Sequence, residues 1–339
     1  MSDFRIDKIT NRDGSTGTQI AGISTFSGTS GMVMPGGPTE YRGGRGDRGV
    51  FGGGETPTRQ NVMDYISMKS TGNAVDFGDL VNPASNVGGC GNATRGIWWG
   101  GEQPTTLQSI CYTTFASKGG ASDFGEMLTS RKTQNSSTAN STRGLIFGGY
   151  GGSPAAYQNN IEYVTIASTG DSTDFGDTLT LTTSSAACAS PTRGVMAGGD
   201  PSGVSPYYTN VIQFVEIATT GNTVEFGELY NRGRHAFGGC SSPTRGVFMG
   251  GRYPTVDKAD YITIATKGNA LDFGDTVGSG AKVTSLSNGV RGFMGGYTNT
   301  ICMIHIPTPA DAIDFGDLTV SRTSLSSCSD SSGSLGERN

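Results

Sequence analysis

The sequence predicts an all-β fold, a six-bladed β-propeller from about Arg48 onward, its ring closed by a C-terminal strand that completes the first blade, with an extended N-terminal arm in front. Three observations carry this. Two short phrases each recur six times at the spacing of a four-stranded blade. Glycine reaches 55 of 339 residues while Asp, Glu, Lys and Arg together make only 16%, which starves helices and favours strands joined by tight turns. The first repeat also lacks a strand that the end of the chain supplies.

The first phrase is Arg-Gly, two or three mostly apolar residues and Gly-Gly, starting at Arg48, Arg95, Arg143, Arg193, Arg245 and Arg291. The second is an acid, Phe-Gly and another acid, as in Asp76-Phe77-Gly78-Asp79 and Glu225-Phe226-Gly227-Glu228. Its phenylalanines, at 77, 124, 175, 226, 273 and 315, lie 47, 51, 51, 47 and 42 residues apart. That period fits a propeller blade and no helical repeat so poor in helix formers.

The stretch from Leu229 to Asp275 shows the strands of one blade. His235–Cys240 is the expected innermost strand, whose small residues suit convergence on the axis. Ser242-Pro243-Thr244 turns the chain into Arg245–Met249, and Gly250-Gly251 ends that second strand where the backbone must bend. After a variable loop, Tyr261–Ala265 alternates as a half-buried third strand, and Lys267-Gly268-Asn269 turns it into Ala270–Phe273.

The ends of the repeat region account for closure. Arg48 opens directly on a second strand, whereas Ser321–Ser329 reads as an orphan first strand. Pairing the two splits one blade between distant parts of the chain and removes an exposed edge. Cys328 then aligns with Cys90, Cys188 and Cys240, each of which lies five residues before its arginine, so these thiols fall on inner strands of different blades. Such positions are too far apart for a disulfide, and the Cys-x-x-Cys spacing of zinc sites is absent.

This pattern resembles the kelch-repeat propellers, whose blades carry Gly-Gly after the second strand and an aromatic residue in the fourth. The likeness covers about 285 residues and is architectural: Phe stands where kelch blades usually have Trp, and function does not follow from it.

Residues 1–45 have another texture, and the propeller is expected over 46–339. Phe4, Ile6, Ile9, Ile20, Ile23, Phe26, Met32 and Met34 are apolar pegs on a Gly/Ser/Thr thread that cannot bury a core of its own and orders by docking on a partner. Pro35-Gly36-Gly37-Pro38 and Arg42-Gly43-Gly44-Arg45-Gly46 read as its hinge. The run Phe4–Gly14, with Gly17–Gly28 after it, resembles the opening of virion structural proteins from tailed phages of marine bacteria, especially cyanophages, where an anchor precedes variable repeats. The resemblance implies a virion appendage such as a tail fibre, baseplate or capsid-decoration protein, with other virion proteins as partners of the arm.

The equipment of an enzyme is not legible, and no catalytic, metal or cofactor site is assigned. His235 and His305 have no co-ligands nearby in sequence and read as packed side chains. Acids repeated once per blade are spread round the ring, unlike a glycosidase pair, and read as turn caps and blade-to-blade contacts, as do the repeated arginines. A net charge of −5 with no Lys/Arg run beyond two residues argues against nucleic acid. No stretch approaches a membrane span, and Met1–Arg5 lacks a signal-peptide core, so the expected product is soluble, made in the host cytoplasm and located in the virion.

What varies between repeats is the loop after Gly-Gly. Tyr150, Tyr157, Tyr207, Tyr208, Tyr253 and Tyr297 in these loops are the candidate ligand contacts. The expectation is a virion protein whose arm docks to the particle and whose propeller faces outward to bind a host-surface glycan or protein. The other reading is a purely structural bracing or decoration role with no host ligand.

Overall fold

The computed structural model describes residues 25–27, 31–33, 48–201, 205–230 and 232–331. The chain divides into two units, Met1–Arg42 and Gly43–Asn339. In the first, Thr25–Ser27 pairs antiparallel with Gly31–Val33, with Phe26 opposite Met32. Phe4, Ile6, Ile9, Ile20, Ile23, Met34 and the expected hinge lie outside the described residues.

The second unit is the six-bladed propeller, without a helix among its described residues. From the axis outward, blade 1 is Ser326–Ser329, Arg48–Gly52, Val62–Ser67 and Val75–Asp79. Blade 2 is Gly88–Gly91, Arg95–Trp99, Ser109–Thr114 and Ser122–Glu126. Blade 3 is Ser137–Ala139, Arg143–Gly151, Ala156–Thr165 and Thr173–Asp177, and blade 4 is Ala186–Ala189, Arg193–Ala197, Val211–Glu216 and Val224–Glu228. Blade 5 is Gly238–Ser241, Arg245–Met249, Lys258–Thr263 and Leu271–Asp275. Blade 6 is Thr284–Ser287, Arg291–Gly296, Thr298–His305 and Ile313–Asp317.

The split blade is as expected: Val50 faces Cys328 in the same register in which Ile97 faces Cys90, Val195 faces Cys188 and Val247 faces Cys240. Two inner strands are shorter than the sequence suggests. The closing strand runs Ser326–Ser329 rather than Ser321–Ser329, because Ser324 takes a left-handed φ of 57° and Thr323 pairs only as an isolated bridge with Glu55. Blade 5 starts at Gly238 rather than His235, because Ala236 takes a left-handed φ of 56° and His235 pairs only as an isolated bridge with Arg252.

The core is not one mass but six wedges, one between each neighbouring pair of blades. The second-phrase phenylalanines fill these wedges. Phe77, Phe124, Phe175 and Phe273 each meet the third-strand tyrosine of their own blade edge-on, with centroids 5.9–6.0 Å apart.

Three devices join each blade to the next, and they explain the repeated phrases. The glycine of Arg-Gly leaves room for an inner-strand side chain of the preceding blade: a Cβ on Gly96 would stand 2.5 Å from Cys328 Sγ, one on Gly246 2.6 Å from Cys188 Sγ, and one on Gly49 2.6 Å from Leu286 Cδ1. The arginine beside it reaches forward to backbone carbonyls of the following blade. Arg95 donates to Ile166 and Ala167, Arg143 to Ile217 and Ala218, Arg193 to Ile264 and Ala265, Arg245 to Ile306 and Pro307, and Arg291 to Met68 and Lys69. Arg48 completes the circle at the Phe115 carbonyl. At the rim, the turn before each fourth strand bonds to the preceding blade. Gly119 and Ala121, for instance, donate to the carbonyls of Phe77 and Asp79.

A fourth feature alternates. Arg322–Asp64, Arg131–Glu162 and Arg234–Asp260 are buried ion pairs at equivalent places in blades 1, 3 and 5, with contacts of 2.8, 3.0 and 2.9 Å. By register the third-strand position is Cys111 in blade 2, Gln213 in blade 4 and Cys302 in blade 6.

Candidate functional site

Antiparallel strands put the loops between second and third strands on the same face as the segments leading into each inner strand. Those lead-in segments form a ring around the axis. Asn86, Gln134, Ser184, Ala236, Lys282 and Ser324 take φ of 57°, 47°, 58°, 56°, 58° and 57°, each four residues ahead of the Cys register position. Their backbones hydrogen-bond in a closed circle: Asn86 N–H to Ser324 O (2.8 Å), Ser324 to Lys282 O (3.0 Å), Lys282 to Ala236 O (2.8 Å), Ala236 to Ser184 O (2.7 Å), Ser184 to Thr133 O (3.1 Å), and Thr133 and Gln134 to Asn86 O (both 3.1 Å). The left-handed turn in every blade aims the N–H and C=O sideways along this circle, so the backbone satisfies itself there.

Behind the circle the axis is nearly shut. Asn135, a buried residue of blade 3, donates its side-chain amide across the axis to the Val283 carbonyl of blade 6. The inner strands leave only about 70 Å³, lined by Gly, Ser, Ala, Cys, Thr and Leu. In front of the circle opens a cup of about 520 Å³, a volume in the range of small-ligand sites.

The charges of the cup are largely compensated. Lys132 pairs with Glu102 at 2.8 Å, which Arg59 also contacts at 3.3 Å, and Lys282 pairs with Glu55 at 3.1 Å. Tyr157 donates its hydroxyl to Asp200 at 3.2 Å, and burial followed by the Asp200 charge pushes that phenol up to about 12. His235 is held down to about 4, chiefly by burial, with Arg252 pushing the same way and Asp200 opposing. Its imidazole is therefore neutral at neutral pH, with one N–H donor and one acceptor.

Both His235 nitrogens lack a hydrogen-bond partner among the described residues, as do Gln134 Nε2 and Thr133 Oγ1. These three cup-lining side chains are 8%, 4% and 1% exposed. The unpaired atoms themselves are shielded from solvent, so they face the packed surroundings of the cup rather than its opening.

Of the tyrosines read from the sequence, Tyr150 and Tyr157 line the cup and meet edge-on at 5.2 Å. Tyr253 joins them at the rim: its ring lies 5.0 Å from that of His235, stacks on Tyr207 at 5.5 Å and sits under the Arg252 guanidinium at 4.7 Å. Tyr208 is half-buried and Tyr297 is exposed, and neither lines the cup. Tyr297 instead takes a left-handed φ of 71° and its N–H bonds to Arg322 O.

Sequence reasoning did not place Thr133, Gln134, Lys132, Asp200, Arg252 or Lys282 here. The usable signal was positional, since the residues four before the Cys register share a face with the Gly-Gly loops. His235 is buried as expected but unpartnered, whereas His305, also expected to be packed, is exposed at the end of its strand.

The other chemistry-bearing residues are dispersed. All six cysteines are free, and burial pushes the Cys90 and Cys188 thiols up to about 12. The acids flanking the phenylalanines lie on the outer strands, with each first acid exposed. No three His, Cys, Asp or Glu among the described residues gather in a way that could hold a metal ion.

No protein-family model matches the chain, and a search of curated proteins finds no similar sequence.

Proposed function

We propose that this chain is a phage virion structural protein, of tail-fibre, baseplate or decoration type, whose N-terminal arm docks to the particle while the propeller faces outward and recognises the host surface through the loop-face cup. The observation that carries the recognition role is the preformed cavity on the loop face, walled by Tyr150 and Tyr157 from the variable loops. A rigid ring presenting variable loops is a common arrangement for binding. The role is binding rather than catalysis: the acids of the repeated phrase lie on outer strands, Glu55 and Glu102 beside the cup are held in ion pairs, and no second histidine lines the cup among the described residues. The virion assignment draws on the likeness of residues 4–28 to phage structural proteins and on the apolar pegs of the arm.

The test compares the intact chain with one lacking residues 1–45 for incorporation into particles, and both for binding to host cells. On this reading the shortened chain folds, binds cells and fails to incorporate. Normal incorporation of the shortened chain would overturn the anchor role, and incorporation without any cell binding by the intact chain would favour the purely structural alternative.

A further inference from the structure

Arg252 is the one cation of the cup without a counter-charge. We propose that the cup binds a monoanionic ligand of the uronic acid class, its carboxylate on the Arg252 guanidinium and the apolar face of its ring against the Tyr150–Tyr157 wall. This names a ligand class for the recognition role proposed above and rests on it.

The first argument is the freedom of the side chain. Arg252 lines the cup, yet its guanidinium meets no carboxylate and no hydrogen-bond acceptor among the described residues. It is half-buried, and its nitrogens, unlike the unpaired atoms of Thr133, Gln134 and His235, are not shielded from solvent, so a ligand can reach them. The Arg252 N–H bonds to the His235 carbonyl at 2.9 Å, which fixes the backbone, and the guanidinium lies 4.7 Å from the Tyr253 ring centroid. Stacking on a ring engages the face of a guanidinium and leaves its edge, the fork of N–H donors that takes a carboxylate in two parallel hydrogen bonds. The second argument is charge. Lys132 and Lys282 are spent on Glu102 and Glu55, and Asp200 accepts from the Tyr157 hydroxyl. Counted with Glu55, Glu102 and Arg59, which are joined to its lysines by ion pairs, the cup carries four cations against three carboxylates. One surplus positive charge, with the Asp200 carboxylate in the same cavity, favours a monoanion over a phosphate dianion. The third is shape. The hydrogen-bonded backbone circle and the Asn135 cross-link close the floor, so an occupant lodges in the cup of about 520 Å³ and does not thread the propeller. A uronic acid joins one carboxylate to a ring with an apolar C–H face, and so answers the free cation and the aromatic wall together.

The test is ligand-observed NMR titration of the full chain with the methyl glycosides of glucuronate and galacturonate, and with their uncharged uronamides and glucose 6-phosphate as comparators. Host-cell binding is followed in parallel. At least one uronoside is expected to bind about tenfold or more tightly than its uronamide, and to weaken as salt is raised. Arg252→Gln removes the charge from a side chain that has no hydrogen bond to lose within the described chain, and is expected to cost about tenfold or more in uronoside affinity. Arg232→Gln, the same change of net charge at an exposed arginine that does not line the cup, is expected to bind as the parent does. Equal affinity for acid and amide, uronoside binding that Arg252→Gln leaves unchanged, or a preference for glucose 6-phosphate overturns the proposal. Cell binding without any uronoside binding overturns the ligand class while leaving the recognition role standing, and its loss in Arg252→Gln would then point to an acidic protein surface. Uronoside binding that depends on Arg252 without cell binding upholds the ligand class and contradicts the host-recognition role. If neither cells nor uronosides bind, both fall.

Discussion

The Asn135 side-chain amide donates to the Val283 carbonyl at 2.6 Å, although the residues are 148 positions apart and belong to blades on opposite sides of the ring. Asn135 has a left-handed φ of 68°, a conformation that Asn tolerates better than most residues, and this turns its side chain toward the axis. Removing the amide orphans a buried carbonyl. Asn135→Ala is expected to lower stability by roughly 1–3 kcal/mol, measured by urea unfolding, while Asn135→Gly tests how much of that loss is backbone strain.

The socket at Gly96 gives a suppressor test. Gly96→Ala would place a methyl 2.5 Å from Cys328 Sγ, an overpacked contact expected to cost about 1–3 kcal/mol. Cys328→Ala in the same chain should recover most of that loss by vacating the sulfur's place. Gly194→Ala, whose nearest neighbour would be the Thr138 methyl at 3.3 Å, is expected to be milder. Denaturation midpoints of these three variants and the parent check this, and equal costs at Gly96 and Gly194 would contradict the socket.

Arg131 and Glu162 are fully buried against each other. Glu162→Gln leaves a buried guanidinium without its counter-charge and is expected to cost about 3–5 kcal/mol. Pairing it with Arg131→Met should restore part of this, giving a coupling energy above roughly 1 kcal/mol in a double-mutant cycle. Additive losses would mean that the two charges do not depend on one another.

The imidazole of His235 supplies a pH signature. With a folded pKa of about 4 against an ordinary 6.5, the unfolded chain binds a proton that the folded chain refuses between these values. Its contribution to stability is therefore complete above pH 6.5, declines as pH falls toward 4 and is gone below it. The expected loss is roughly 2 kcal/mol, less than the full shift implies because the cup is open to solvent. His235→Phe should flatten this window when unfolding is compared with the parent from neutral to acid pH, the carboxylates being common to both.

The ring was legible because its joints repeat. Each blade needs a glycine socket, a reaching arginine and a phenylalanine wedge, so the same residues recur at the blade period, and the unpaired strand at each end of the repeat region specified the closure. The cup was not legible. Its floor is made by Asn86, Gln134, Ser184, Ala236, Lys282 and Ser324, which share a backbone conformation but no side-chain type. The ion pairs escaped for a related reason: Arg322 and Asp64 are 258 positions apart, and equivalent places in blades 2 and 6 carry cysteine, so no phrase marks them.

The claim that the cup is the recognition surface meets its most direct test in the double variant Tyr150→Ala/Tyr157→Ala, measured for both stability and binding of the fluorescently labelled full chain to host cells. Both rings are half-buried at the cup wall, so their truncation is expected to cost the free protein no more than about 1–2 kcal/mol. Cell binding should meanwhile fall at least tenfold. Undiminished binding by this variant would contradict the account, because the wall of the cup would then touch no ligand.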